Sequence, residues 1–350
     1  GRVDTMNYVA ACARHVWAGG RFDLEFQGAR AVHRCRPGQP PRGRLYHRHH
    51  LSDPSPAPAV TAASTPAADV QARIARLFVH PVKSCAGVEL REARLMDTGL
   101  DLDRAWMVVD EAGRFVTQRE LPRMALVVPR IRHTEVVLRA PGMLALHLGI
   151  DEVESPTRAT VWNDEVPAWD MGGVAAQWFS DFLGRPGLRL VRFDPDTNRL
   201  ASKKWTGEID APVEFADGFP VLVASTASLD ELNGRLQAAG HAPVGMERFR
   251  PNLVLEGVEA QDEDRLAELR IACAEGEVVL RPVKPCPRCP IPNVDPATGE
   301  TSPEVLDTLS TYRANPVVDG AITFGMNVVI VRGAGHTLRV GDAVAADWKF

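Results

Sequence analysis

No stretch of this 350-residue sequence approaches the ~18–20 consecutive apolar residues of a membrane-spanning helix, and its first residues lack the apolar run of a secretory leader. No membrane association is expected, and the cytoplasm is the expected compartment. Cysteine is scarce: six residues, at 12, 35, 85, 273, 286 and 289, of which only the last two lie close together. This is not the framework of a disulfide-stapled secreted domain, and it suits a reducing environment. Positive charge is not in excess either, since 40 Lys and Arg face 45 Asp and Glu for a net charge of −5, so a nucleic-acid partner is not expected. What is present, 45% hydrophobic and 24% charged residues, fits a globular protein of about two domains at ~150 residues each. Collagen-like, coiled-coil and wholly disordered chains are excluded.

The first 70 residues differ from the rest. They hold nine Arg, no Lys and five acids, against 31 basic and 40 acidic residues in 71–350, and half of the ten histidines lie in the first 50. Pro37, Pro40, Pro41, Pro54, Pro56, Pro58 and Pro66 break any periodicity. Such a segment buries too little apolar surface to offset the entropy of ordering it. Residues 1–70 are therefore expected to be a disordered or non-native extension, dispensable for fold and activity, with a targeting or interaction tail as the alternative.

From Ala72 the sequence becomes strand-like. RIARLFVH, VELREARL, RAWMVVD, RFVTQ and MALVVP are β-branched or alternating apolar segments, with short turns such as Glu111-Ala112-Gly113 between them. A helix is predicted over 174–183, where Val174, Trp178 and Phe182 recur every four residues before Gly184. LRLVRF returns to strand, and the irregular stretch 197–219 places a domain boundary near Asp194, giving domains 71–194 and 195–350. A second helix is predicted from Ser228, in a capping box with Glu231, through Leu229, Leu232 and Leu236 to Gly240. A third starts at Ser302-Pro303 and carries Val305, Leu306 and Leu309 on one face. PNLVLEG, EVVLRPVK, ITFGMNVVIVRG and TLRVGDAVAA read as further strands. Without regular βαβ alternation, the expected fold is mainly β with inserted helices, a pair of β-barrel domains rather than a doubly wound sheet.

The strongest local signal is the segment Lys284-Pro285-Cys286-Pro287-Arg288-Cys289-Pro290-Ile291-Pro292. A thioredoxin-type dithiol needs its first thiol at a helix N-terminus, and the prolines forbid a helix here. Structural zinc needs a second ligand pair, yet Cys85 and Cys273 stand alone and His241 and His336 lack ligand spacing. What remains is a stiff, extended loop that displays one or two thiols beside Arg288, a guanidinium able to favour thiolate and bind an anion. Two half-buried structural cysteines remain the alternative. Other segments repeat the anion theme. Lys83-Ser84 follows a strand in HPVKSC, Arg104 heads the strand in DRAWMVVD, and Arg250-Pro251-Asn252 precedes the strand in FRPNLVLEG. Each offers cationic or polar groups at the mouth of a β-structure, where an oxyanion binds well.

HPVKSC, DRAWMVVD, FRPNLVLEG and CPRCPIPNVDPATGE, in this order and at these intervals, resemble the MOSC proteins with an N-terminal MOSC β-barrel domain, the group containing the mitochondrial amidoxime-reducing component and its bacterial relatives. The resemblance spans about residues 72–346. It implies an N-terminal MOSC β-barrel domain followed by a MOSC β-barrel domain. It implies a molybdenum cofactor, a pterin dithiolene with a phosphate group, and reduction of N-hydroxylated compounds such as hydroxylamines, amidoximes and N-hydroxylated bases to amines, a detoxifying chemistry. The metal thiolate of the family falls on Cys289, with Arg288 beside it, and its phosphate-binding pair on Lys83 and Ser84. Its strand-leading Arg falls on Arg104, and its R-P-N on Arg250 and Asn252. Asp217, Gly218 and Asn327 fall near the cofactor, with Asp217 a candidate for proton handling. Pro287 stands where the family often has Ser, and Asn327 where a relative has Tyr.

No cysteine follows Cys289 and no G-x-G-x-x-G follows a strand, so neither an iron–sulfur cluster nor a nucleotide site is expected in this chain. Electrons are then expected from a separate flavin- or iron–sulfur-containing reductase. The competing readings are a molybdenum-cofactor carrier and a sulfur-transfer protein that uses a cysteine persulfide.

Overall fold

A computed structural model describes residues 68–349 of the protein. The expectation for 1–70 falls, as far as residue 67, outside them. Seven strands close a barrel: β1 (Val70–Val79), β2 (Val221–Ser225), β3 (Leu253–Glu256), β4 (Leu266–Cys273), β5 (Gly276–Pro287), β6 (Ala321–Arg332) and β7 (Ala343–Trp348). Their order around the barrel is β2, β3, β1, β7, β4, β5, β6 and back to β2, antiparallel throughout except between β2 and β3. The barrel thus takes one strand from the start of the described chain, with Val70 opposite Ala346 and Leu77 opposite Leu253.

Inward-facing side chains fill the barrel, among them Ile74, Leu77, Val79, Val223, Leu255, Ile271, Leu280 and Val328. In β1 the inward set jumps from Ile74 to Leu77 because the register shifts between Ile74 and Arg76; the bulge moves the alternation on by one residue. Closure of β6 on β2 depends on Gly325, whose φ is +74° and where a Cβ would lie 2.6 Å from the Val223 carbonyl oxygen. The prolines of β5 are tolerated for a related reason: its register against β6 shifts between Pro282 and Lys284 and again between Pro285 and Pro287, and such bulges accommodate a residue with no N–H. The expected loop at Pro285-Cys286-Pro287 is therefore the end of a strand.

The rest of the first stretch forms a four-stranded antiparallel sheet, in the order Trp106–Val109, Arg189–Phe193, Asp164–Asp170, Ser155–Val161, and a three-stranded meander over Val128–Ile131, Glu135–Arg139 and Leu146–Gly149. Helix α1 (Gly172–Leu183) ends at Gly184, whose φ of +66° makes it the expected C-cap. Its buried face runs through Ala175, Trp178, Phe179 and Phe182, whereas Val174 is 77% exposed. The four-residue spacing found two of the right residues, and the small Ala175 takes the place assigned to Val174. Helix α2 (Thr226–Ala238) starts before the expected Ser228. Ser225 is its cap and accepts from the Ser228 N–H at 3.1 Å, while Glu231 pairs with Arg235 instead of closing a capping box. Helix α3 (Glu304–Ser310) buries Val305 and Leu309, and these pack with Leu232 and Leu236 of α2 against Phe78, Val254 and Phe324.

Two expected strands differ. RFVTQ forms only single bridges, Phe115 to Val109 and Arg114 to Thr160. In MALVVP, Pro122 opens a short 3-10 turn through Leu126 that buries Met124 and Ala125, and the strand begins only at Val128. Among the described residues no helix is long and apolar enough to cross a membrane.

Candidate functional site

Several stretches of backbone converge on one cleft: the segment leaving β1, the turn at Asp103-Arg104, the loop at Thr117-Arg119, the segments entering β2 and β3, the end of β5 with the residues after it, and the middle of β6. Lys83, Ser84, Arg104, Asp217, Gly218, Arg250, Asn252, Arg288, Cys289 and Asn327 all line it, although they come from positions as distant as 83 and 327. Asn327 reaches it from the middle of β6, where it faces Leu222 of β2 and Lys284 of β5.

Backbone groups hold these side chains. Asn252 accepts from the Leu222 N–H at 3.0 Å and donates to the Phe78 carbonyl at 3.2 Å, which ties the entries of β2 and β3 to β1. Arg104 pairs with buried Asp103, and Asp103 accepts from the His80 N–H at 2.8 Å. Lys83 donates to the Phe215 carbonyl at 2.7 Å and pairs with Asp217. Arg288 donates to the Phe249 carbonyl at 2.9 Å and to Cys286 Sγ at 3.1 Å. Ser84, Arg104 and Arg250 have φ of 64°, 58° and 57°, a region that costs a residue with a Cβ ~1–2 kcal/mol. Strain concentrated in this way is characteristic of ligand clamps.

Charge in the cleft is unbalanced. The cations Lys83, Arg119 and Arg104 around the partly exposed Asp217 hold its carboxyl well below the usual range. Burial, offset in part by Asp217, lowers Lys83. Arg250 is pushed down to about 10, by burial and then by the neighbouring Arg104. His80 is held well below its ordinary value by burial, then by Arg250 and Arg104, and its neutral ring donates from Nε2 to the Pro251 carbonyl at 3.1 Å. Lys83 and Arg104 each have a carboxylate partner, but Arg250 and Arg288 form no ion pair among the described residues. Arg250 Nη2 and Arg288 Nε are buried with no hydrogen-bond partner among the described residues. Buried donors left in that state are costly, so the cleft is built for an anion.

Among the described residues, burial pushes the Cys85 thiol up to about 12, and half-buried Cys273 rises to about 11 through burial and then the neighbouring Asp342 and Glu275, whereas Cys286 and Cys289 border the cleft. Among the described residues no group of three or more His, Cys, Asp or Glu could hold a metal ion. A metal at Cys289 would therefore take its remaining ligands from a bound molecule, and an anionic dithiolene fits both the lone thiolate and the surplus guanidinium groups.

Sequence reasoning missed several lining residues: Thr117, Arg119, Phe249 and Ile291 in the inner cleft, and Trp162 and Arg199 in its outer part. Phe249 and Ile291 lie within the segments FRPNLVLEG and CPRCPIPNVDPATGE but were not singled out there, and Thr117, Arg119, Trp162 and Arg199 lie in no site motif. For these four the available signal was a bulky Trp162 in the turn between two strands, where Gly is the usual residue.

Fold and cleft together define a β-barrel protein that sets two cysteines, Cys286 and Cys289, in a cleft lined by Lys83, Arg104, Arg250 and Arg288. Residues 71–186 match the MOSC N-terminal beta barrel domain and residues 210–345 the MOSC domain. The chain is 35% identical to mitochondrial amidoxime reducing component 2 of Rattus norvegicus over 77% of its own length and 82% of the relative's. It is 36% identical to component 2 of Homo sapiens, over 69% and 72%, and 34% identical to component 1 of Mus musculus, over 77% and 81%. The chain belongs to the MOSC-domain family, in the group that combines an N-terminal MOSC β-barrel domain with a MOSC domain.

Proposed function

We propose that this protein is a molybdenum-cofactor-dependent reductase that converts N-hydroxylated compounds to amines with electrons from a separate reductase. The observation that carries the reading is that Cys289 shares one cleft with Arg250 and Arg288, two guanidinium groups that have buried nitrogens and, among the described residues, no counter-ion. The names of the relatives, amidoxime reducing components, support the reaction class. In this reading Cys289 supplies the protein thiolate to the metal. Lys83, Ser84, Arg104 and Arg250 hold the phosphate, while Arg288, Asn252, Gly218 and Asn327 line the remainder of the group. When bound, the cofactor supplies the two-electron chemistry. The chain contributes orientation, anion clamps and a restricted approach.

Asp217, ionised and held on Lys83, suits positioning of that ammonium better than the proton-handling role expected from the sequence. Domains 71–194 and 195–350 and the cytoplasmic compartment belong to the same proposal, although the relatives are named as mitochondrial. Metal analysis of the purified protein and identification of the released pterin test the cofactor. Reduction of an amidoxime by the loaded protein with a reduced viologen tests the reaction and separates a reductase from a cofactor carrier. Loaded protein that reduces neither amidoximes nor hydroxylamines would sink the reading.

A further inference from the structure

Trp162 occupies the first position of the two-residue turn that joins the strands Ser155–Val161 and Asp164–Asp170, where Val161 pairs with Asp164. Its φ is +56°. Such a position favours glycine, because a side chain in the left-handed region costs ~1–2 kcal/mol. The ring is nonetheless braced from three directions. The Arg119 guanidinium lies 4.8 Å from its centroid, the Phe115 ring is 5.1 Å away and tilted by 54°, and the indole N–H donates to Asp217 Oδ1 at 3.3 Å. Even so, Trp162 remains 46% exposed.

Its open surface lines an outer cleft of about 1000 Å³ together with Phe219 and Lys284. Asp217, Phe219, Cys286, Cys289 and Asn327 line both this outer cleft and the inner one, so the two are continuous. A large aromatic ring held on a strained backbone and left half in solvent adds little to a core. It presents a flat π-surface on the approach to Cys289, and its anchor Asp217 is itself fixed by Lys83. Stacking rewards flat, conjugated partners, which meet the ring over their whole face, whereas a saturated ring touches it at few atoms.

We propose that Trp162 is a specificity-determining residue of this site: a stacking platform that selects planar, conjugated N-hydroxylated substrates over saturated ones. The reaction named here rests on the reductase reading above; the platform itself rests on the geometry of the outer cleft.

The test uses the full chain, loaded with cofactor, and a reduced viologen as electron donor. It compares an aryl amidoxime with cyclohexylhydroxylamine in the wild type, in Trp162→Gly, which suits the left-handed backbone, and in Trp162→Phe, which keeps a ring. The ratio of kcat/KM for the aryl over the alkyl compound falls at least about tenfold in the Gly variant, about 1.4 kcal/mol, mostly through KM, and is largely retained in the Phe variant. Calorimetric titration with the corresponding aryl amidine, which needs no turnover, shows Kd weakened to a similar degree in the Gly variant. An unchanged ratio in Trp162→Gly, equal loss in both variants, or amidine binding that is absent from the wild type or indifferent to Trp162, overturns the platform. Trp162-dependent amidine binding without reduction of either compound would leave the platform standing and remove the reductase reading.

Discussion

Arg104 Nη2 donates to the Arg250 carbonyl oxygen at 3.0 Å, and both residues hold a left-handed backbone, with φ of 58° and 57°. Two loops 146 residues apart thus fix each other in conformations that neither would favour alone. The cost is met by the surrounding hydrogen bonds, and the outcome is two guanidinium groups held side by side at the cleft.

Replacing Arg250 tests the clamp. Arg250→Gly removes the guanidinium while suiting the backbone, so strain does not confuse the result. A charge-assisted hydrogen bond is worth ~1.5–3 kcal/mol, and its loss weakens cofactor binding roughly ten- to a hundredfold. Molybdenum and pterin retained after dialysis measure this. Unchanged retention in a Lys83→Ala/Arg250→Gly double variant would contradict the assignment of the phosphate side.

The two thiols of the cleft are expected to separate. Cys289→Ser abolishes reduction and loses molybdenum. Cys286→Ser, whose sulfur accepts from Arg288 at 3.1 Å, lowers cofactor loading or stability while keeping turnover per bound metal. Metal content measured beside activity distinguishes them, and the reverse pattern would move the ligand to Cys286.

Glu214 gives the fold a pH dependence. Burial pushes its carboxyl up to about 7, Asp103 and Asp101 add to the shift, and the Thr98 hydroxyl, which donates to it at 3.3 Å, and Arg192 oppose it. The folded value lies above the unfolded one of ~4.3, so the folded state binds the extra proton. Its contribution to stability is full below the unfolded value, falls as pH rises to about 7, and is level beyond. Urea unfolding of the wild type should show this decline, a few kcal/mol at most at about 1.4 kcal/mol per pH unit, and Glu214→Gln should flatten it. An unaltered slope in that variant would place the titration elsewhere.

Electron supply gives the remaining prediction. Loaded protein with NADPH or NADH alone should not reduce a hydroxylamine, but should do so once a flavin- or iron–sulfur-containing reductase or a reduced viologen is added. Steady turnover with NADPH and this chain as the sole protein would reveal a nucleotide site.

The misread elements share a cause. Val174 and MALVVP rest on local periodicity and Ser228 on a local capping pattern, and in each case contacts outside the window decide otherwise: Ala175 faces the core, Ser225 caps the first turn of α2, and Met124 and Ala125 are buried in a 3-10 turn rather than a strand. The prolines of Lys284–Pro292 exclude a helix and suggest an extended loop, yet bulges in the pairing with β6 let β5 run on as a strand to Pro287.

The sequence by itself determined the mainly β character, because β-branched and alternating residues are a local property. It also singled out the residues proposed for the site, because Lys83-Ser84, Arg104, Arg250-Pro251-Asn252 and Arg288-Cys289 each sit in a short, distinctive segment. Tertiary structure alone decided that these segments meet in one cleft, since barrel closure joins β1 to the distant strands β3, with Leu77 opposite Leu253, and β7, with Val70 opposite Ala346. It alone decided the charge balance, which depends on Asp103 and Asp217 pairing with Arg104 and Lys83 while, among the described residues, Arg250 and Arg288 have no counter-ion. And it alone brought Trp162 to the mouth of the site, since a side chain held by Arg119, Phe115 and Asp217 takes its role from neighbours that no local pattern encodes.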